Sequence, residues 1–132
     1  MLQYPRVLLL CSDEHQAVRL EELIEDHANL TRARDLDELS ALLATACFKA
    51  VFCAWSFYGG TWRNTLLEAL RFQPDLPVLV LSSTGGEREW IEVLEAGAFD
   101  LLVPPYNKNT VLAVLEQAIA SHDARTLQRA AR

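Results

Sequence analysis

Residues 76–106 read LPVLVLSSTGGEREWIEVLEAGAFDLLVPPY, and this stretch decides the fold. Residues 77–82 form a short, continuous apolar run, which is typical of a strand buried on both faces. Two glycines then open a segment with apolar residues at helical spacing, and Gly97 ends it as a C′ glycine would. Residues 101–103 form the next apolar run. The order strand, helix, strand predicts parallel pairing through a helical crossover.

The same alternation extends over the rest of the chain. Residues 6–11 and 50–54 are further buried-strand candidates, and the half-polar residues 29–33 suit an edge strand. Segments with helical periodicity follow each strand, with Asp35 as the expected N-cap of the second helix. Five strand–helix units predict an α/β fold, a flavodoxin-like (βα)5 doubly wound parallel sheet. Right-handed crossovers favour the strand order 2-1-3-4-5.

Composition and charge limit the function classes. The chain has 132 residues, of which 51% are apolar, and this fits one globular domain. We place one domain in 1–121 and interpret 122–132, which carries three arginines, as a C-terminal tail or linker. The net charge of −6 disfavours direct nucleic-acid binding and anionic membranes. Three irregularly spaced cysteines and the lack of a membrane-length apolar run favour a cytoplasmic domain.

Ligands of such a sheet bind outside the carboxyl ends of its strands. The loop after the first predicted strand is acidic and lacks glycine, so a phosphate or FMN site is disfavoured there. Cys11 and Cys53 end neighbouring strands and can be imagined as a redox pair, but two buried, unreactive thiols are the stronger expectation. No nucleophile, base and orienting group can be named together. We therefore expect no enzyme and no cofactor.

Taken together, these segments resemble the CheY-like receiver domain of bacterial response regulators, over residues 6 to about 120. The resemblance is carried by RVLLLCSDEH (6–15), FKAVFCAWSFYGG (48–60) and residues 76–106. The last stretch matches the family's fourth strand, fourth helix, Gly-Ala turn, fifth strand and terminal proline without interruption. The resemblance implies the fold predicted above and a place in two-component signal transduction or a phosphorelay, where a histidine kinase passes a phosphoryl group to an aspartate.

That chemistry needs five groups: two acids that hold Mg²⁺, the aspartate, a hydroxyl and a lysine. Mg²⁺ and the lysine neutralise charge on the transferring phosphoryl group. The family's aspartate position falls on Ala54, which has no nucleophilic atom. The lysine position falls on Pro104, so the counter-charge is missing as well. The resemblance is therefore to a degenerate receiver that lacks both the acceptor and the lysine.

The remaining positions of the family's site are partly kept. The acid pair falls on Ser12 and Asp13, which leaves one carboxylate, whereas a register shifted by one residue gives Asp13 and Glu14. Ser82 keeps the hydroxyl. The family's switch aromatic, which follows the movement of that hydroxyl, falls on Leu101. We expect no metal, and leave open a weak Mg²⁺ site on Asp13 and Glu14.

The sequence thus favours a phosphorylation-independent pseudo-receiver that acts through protein–protein contacts. Its partner is a protein or an attached output domain, and the face of the fourth helix, fifth strand and fifth helix is the candidate homodimer surface. A small-molecule or metal-sensing site at the strand ends stays open, as does a conventional phosphorylated receiver in a shifted register. The candidate interaction residues are aromatic or apolar: Trp55, Tyr58, Trp62, Trp90, Leu101 and Tyr106.

Overall fold

Five parallel strands form the central sheet in a computed structural model that describes residues 4–131. The residues of the predicted domain and tail that precede and follow this range, 1–3 and 132, lie outside the described part. In chain order the elements are β1 (Arg6–Leu10), α1 (Glu14–Ile24), β2 (Asn29–Ala33), α2 (Leu36–Thr45), β3 (Ala50–Ala54), β4 (Ser56–Phe57), β5 (Gly60–Thr61), α3 (Trp62–Phe72), β6 (Val78–Leu81), α4 (Glu87–Glu95), β7 (Asp100–Leu102) and α5 (Lys108–Ala130).

The sheet has the order β2-β1-β3-β6-β7, which confirms the predicted flavodoxin-like arrangement. The fifth strand of the sequence-based prediction is β7, and the half-polar β2 lies at the edge as expected. The four pairings between neighbouring strands of this sheet are all parallel. The doubly wound order brings the carboxyl ends of β1, β3, β6 and β7 side by side, and this edge positions the candidate site.

Two separate cores cover the two faces of the sheet. Alternate side chains of a strand point to opposite faces, so Val7 and Leu9 pack with α1 and α5. Leu8 and Leu10 pack on the other side with α2, α3 and Val93 of α4. Burial on both faces explains why β1, β3 and β6 read as continuous apolar runs rather than as alternating patterns.

Polar side chains fix where the helices begin. Asp35 accepts a hydrogen bond from the Glu38 backbone N–H at 2.9 Å, which confirms it as the N-cap of α2. Asp13 and Asn107 cap α1 and α5 in the same way. Gly97 follows α4 with a φ of 107°, the left-handed conformation predicted for a C′ glycine.

The segment around Gly59 and Gly60 is a short hairpin formed by β4 and β5. Gly59 has a φ of 88°, and a Cβ on Gly60 would lie 2.9 Å from both the Phe57 ring and Asn64 Oδ1. The two glycines therefore allow the hairpin to close tightly over the start of α3.

Helix α5 is 23 residues long, and the predicted boundary between residues 121 and 122 falls inside it. Beyond that boundary the helix is mostly exposed. Two ion pairs connect it to the sheet layer, from Lys49 to Asp123 at 2.9 Å and from Arg129 to Asp75 at 2.7 Å. Within residues 4–131, no helix is both long and apolar enough to cross a membrane.

Candidate functional site

Ala54 lies at the centre of the carboxyl edge, as the last residue of β3. It pairs with Leu81 of β6 and packs with Cys11 in the core that faces α1 and α5. Only 6% of its surface is exposed. The centre of the edge is therefore an apolar, nearly closed position with no atom that can attack a phosphoryl group.

The acidic loop after β1 is engaged in local contacts. Ser12 is exposed, and Asp13 Oδ1 accepts the Gln16 backbone N–H at 3.2 Å as the cap of α1. Both carboxylate oxygens of Glu14 accept from the Arg32 guanidinium at 3.0 Å. These hydrogen bonds from Arg32 lower the pKa of Glu14. A cation at this loop would have to compete with Arg32 for that carboxylate.

Within the described residues, no group of three or more His, Cys, Asp or Glu side chains is arranged to hold a metal ion. The pair of Asp13 and Glu14 is below that number. An Mg²⁺ site on these two acids stays a prediction.

A hydrogen-bond chain joins β1, α1 and the turn after β7. The Cys11 thiol donates to Gln16 Oε1 at 3.1 Å, and Gln16 Nε2 donates to the Tyr106 hydroxyl at 2.7 Å. Burial raises the pKa of both Cys11 and Tyr106, so both stay neutral near pH 7. These three hydrogen-bonded side chains therefore add no charge to the edge. Gln16 and Tyr106 are 90 residues apart, so no local sequence pattern could have paired them.

Cys11 and Cys53 do not form the redox pair considered above. Cys11 packs on the face of the sheet covered by α1 and α5, and Cys53 packs on the opposite face. The Cys53 thiol lies 3.0 Å from Thr65 Oγ1, and burial raises its pKa to about 12. Cys11 and Cys53 are both buried thiols outside any disulfide, which confirms the expectation of two buried thiols.

Ser82 and its neighbours form the most polar part of the edge. Ser82 follows β6 and is buried, and its hydroxyl donates to Glu89 Oε1 at 2.5 Å. Ser83 donates to Glu89 through its N–H at 3.2 Å and its hydroxyl at 2.9 Å. Thr84 donates through its N–H at 3.2 Å and also through its hydroxyl. Five donors therefore converge on one carboxylate.

Glu89 is buried, with 9% of its surface exposed. Burial works to raise the pKa of its carboxyl, but the hydrogen bonds from Ser82, Thr84 and Ser83 outweigh burial and lower the pKa to about 2. Among the described residues, no Lys or Arg side chain pairs with it. The sequence reasoning missed Glu89, although a run of hydroxyl residues followed by a glutamate early in a helix resembles a capping signal.

The family's lysine position lies after the outer strand β7, which is separated by β6 from the strand of Ala54. Pro104 follows β7 and is exposed, and its ring offers neither an amine nor a backbone N–H. Val103 beside it has 49% of its surface exposed. The structure thus brings Ser12, Ala54, Ser82 and Pro104 to one edge of the sheet, but it places no cation where the family has its lysine.

Two of the predicted interaction residues are buried, which corrects the sequence-based surface. Trp62 begins α3 and has 2% of its surface exposed, in the core that also contains Phe57 of the hairpin. Leu101 is 7% exposed, in the same core. Trp55 is half-buried against Trp62, with ring centroids 5.5 Å apart. Tyr58 at the hairpin tip is 83% exposed.

The other predicted interaction residues do reach the surface. Trp90 on α4 is 48% exposed, and its Nε1 donates to Asp100 Oδ1 at 3.3 Å. Ile91 beside it is 44% exposed. Tyr106 is half-buried at the start of the turn into α5. We name the exposed apolar residues Trp90 and Ile91 the α4 face.

Solved receiver domains match this chain over most of its length. The Francisella response regulator 1452 receiver domain has a TM-score of 0.78 and 21% identity, over 88% of this chain and 97% of that one. The chain has the receiver fold. NtrX from Brucella abortus, solved in complex with ATP, has a TM-score of 0.88 and 19% identity. That match covers 98% of this chain but 30% of NtrX, so the receiver fold is a minor part of that protein.

One curated protein adds sequence similarity to this likeness. The C4-dicarboxylate transport transcriptional regulatory protein DctR of Rhodobacter capsulatus is 34% identical over 70 residues. The match covers 51% of this chain and 36% of DctR, so it spans about a third of the length of that relative. No family model matches. The chain therefore shares its fold with solved receiver domains and about half of its sequence resembles part of a transcriptional regulatory protein.

Proposed function

We propose that this chain is a pseudo-receiver, a two-component signalling module that acts without phosphorylation through contacts with a protein partner or an attached output domain. The observation that carries the proposal is the buried Ala54 at the centre of the carboxyl edge. A receiver that accepts a phosphoryl group needs a nucleophilic oxygen there, and an alanine methyl group has none.

The surroundings of Ala54 support the same conclusion. Phosphoryl transfer depends on positive charge that offsets the charge of the phosphoryl group and its acceptor. Pro104 supplies none, and Arg32 is engaged by Glu14 on the far side of β1. Among residues 4–131 the buried charged side chain is Glu89, whose carboxylate at this edge would repel an incoming phosphoryl group.

The α4 face is the surface that we assign to the partner. A tryptophan and an isoleucine exposed next to each other on one helix are costly in water and are of the kind that interfaces cover. Trp90 is held against β7 by its hydrogen bond to Asp100, so its ring is oriented before a partner arrives. A second copy of the chain is the partner that the first experiment tests, with an attached output domain as the other.

Sedimentation equilibrium over a range of protein concentrations tests this surface. We expect the wild-type chain to self-associate and Trp90→Glu to stay monomeric, since a charge at an interface core opposes its burial. Leu67→Glu is the matched control, because Leu67 is 64% exposed on α3, away from the α4 face. Addition of Mg²⁺ and beryllium fluoride, a phosphoryl analogue, should leave the wild-type association unchanged.

A wild-type chain that stays monomeric at every concentration contradicts homodimerisation and leaves the output domain as the partner. An association that rises with beryllium fluoride contradicts the phosphorylation-independent mechanism. Equal loss of association in Trp90→Glu and Leu67→Glu would show that the α4 face is not the specific contact.

A further inference from the structure

The loop between β6 and α4 is an oxyanion-binding nest whose anion is a side chain of the same chain. Three successive residues, Ser82, Ser83 and Thr84, supply three hydroxyls and two backbone N–H groups to Glu89. A carboxylate has about four lone-pair sites, so five donors saturate it. The donor set is complete without any cation.

The same hydrogen bonds fix the path of the loop. Ser82 Oγ accepts the Gly85 backbone N–H at 2.6 Å while it donates to Glu89. Gly85 has a φ of 79°, and a Cβ there would lie 3.0 Å from Val103 Cγ1, so the loop packs closely on the turn after β7. The Ser82 hydroxyl is thus connected to α4 through Glu89 and, through Gly85, to the turn after β7 that contains Val103.

Glu89 also fixes the beginning of α4. It is the third residue of the helix, and its carboxylate reaches back to the two N–H groups that precede the N-cap Gly86. The next residue is Trp90, the largest member of the α4 face. Any change in how Glu89 is held would change the position from which Trp90 is presented.

We infer that Glu89 is a built-in anion which occupies the Ser82–Thr84 nest and holds the loop and the first turn of α4 in a single conformation. The nest is satisfied at all times, so the hydroxyl of Ser82 has no need of an external oxyanion to order it. This inference rests on the proposed function only in its consequence, a permanently fixed α4 face.

Hydrogen exchange at the Ser83 and Thr84 amides tests the inference directly, because both amides donate to Glu89. Glu89→Ala removes the anion and leaves a small space in its place. We expect both amides to exchange at least about tenfold faster, because a hydrogen bond to a charged group is lost. Sodium formate, a free carboxylate that fits the vacated space, should slow the exchange again, and sodium chloride at equal ionic strength should not.

Two further variants control for the loss of charge and for the loss of side-chain volume. Glu87→Ala removes an equal charge from the same first turn, and Glu87 is exposed with no hydrogen bond to the loop in the described part of the chain, so exchange should not change. Glu89→Gln retains the side-chain volume if the alanine variant does not fold. It should exchange faster than the wild type and should not respond to formate, because the amide fills the space.

Unchanged exchange in Glu89→Ala or in Glu89→Gln would overturn the inference, as would equal rescue by chloride and formate. The outcome is separate from that of the proposed function. Uptake of a phosphoryl group from acetyl phosphate would refute the pseudo-receiver, whereas formate rescue depends on the nest alone.

Discussion

Restoring an acid at the centre of the carboxyl edge should destabilise the protein, because the site around Ala54 is closed and carries no positive charge. In Ala54→Asp the new carboxyl lies where 6% of the native side chain is exposed. Burial without a counter-charge raises the pKa of a carboxyl by roughly 2–3 units at such a position. At 1.36 kcal/mol per unit, the ionised form costs roughly 3–4 kcal/mol of the free energy of unfolding.

The pH dependence identifies the cause. The new carboxyl of Ala54→Asp has a pKa of about 3.9 in the unfolded variant, and in the folded variant its pKa should be about 6–7. The penalty should be full above about pH 7, shrink as the folded carboxyl becomes protonated, and vanish below about pH 4. Ala54→Asn has nearly the same volume and no charge, so its cost should not vary with pH.

Urea denaturation followed by tryptophan fluorescence measures both variants. With a slope of about 2 kcal/mol per molar, typical of a domain of this size, Ala54→Asp should lower the midpoint by about 1.5–2 M at pH 7.5. Its midpoint should approach that of Ala54→Asn at pH 4. If Ala54→Asp is as stable as the wild type at pH 7.5, the edge is open to water and our account of a closed site without positive charge is wrong.

Three other predictions concern Glu89, the hairpin and the thiols. The pKa of Glu89 is about 2 in the folded protein, against 4.5 ordinarily, so its contribution to stability should be full above about pH 4.5 and should be lost as pH falls through 2. The difference in urea midpoint between wild type and Glu89→Gln should therefore shrink to about a quarter of its pH 6 value at pH 2.5, and a constant difference would refute this. Trp62→Ala should cost roughly 3–5 kcal/mol of unfolding free energy, since its ring is buried, whereas Tyr58→Ala on the same hairpin should cost under about 0.5 kcal/mol; equal costs would contradict the correction made for Trp62. Of the three cysteines, the exposed Cys47 should react first with a thiol reagent such as Ellman's, and Cys53, whose pKa is about 12, should react only on unfolding, so rapid modification of a Cys47→Ser variant would contradict the buried placement.

The first and last residues of β2 and β3 could be predicted from the sequence, because the pattern of each strand is unambiguous. β3 is a continuous apolar run on both faces, and β2 ends where its half-polar pattern ends. The end of α1 at Ile24 could not be predicted, because no glycine or proline in the sequence marks it. The Ile24 carbonyl instead accepts the N–H groups of His27 and Ala28 in a turn.

The site was harder to predict because it depends on contacts between distant residues. Trp62 and Trp90 both lie in helical patterns, and periodicity does not tell which of them faces the core. In the structure Trp62 is buried, in the same core as Phe57 of the hairpin. Glu89 went unnoticed because it matches none of the five groups of the family's chemistry, and its role appears only when the donors of the β6–α4 loop converge on it.

The central claim, a receiver fold without receiver chemistry, is tested most directly by the intact mass of the wild-type chain after incubation with Mg²⁺ and acetyl phosphate. A conventional receiver that carries the aspartate and the lysine serves as the positive control in the same solution. We predict a phosphoryl adduct on the control and none on this chain. A stoichiometric adduct on this chain would contradict the account.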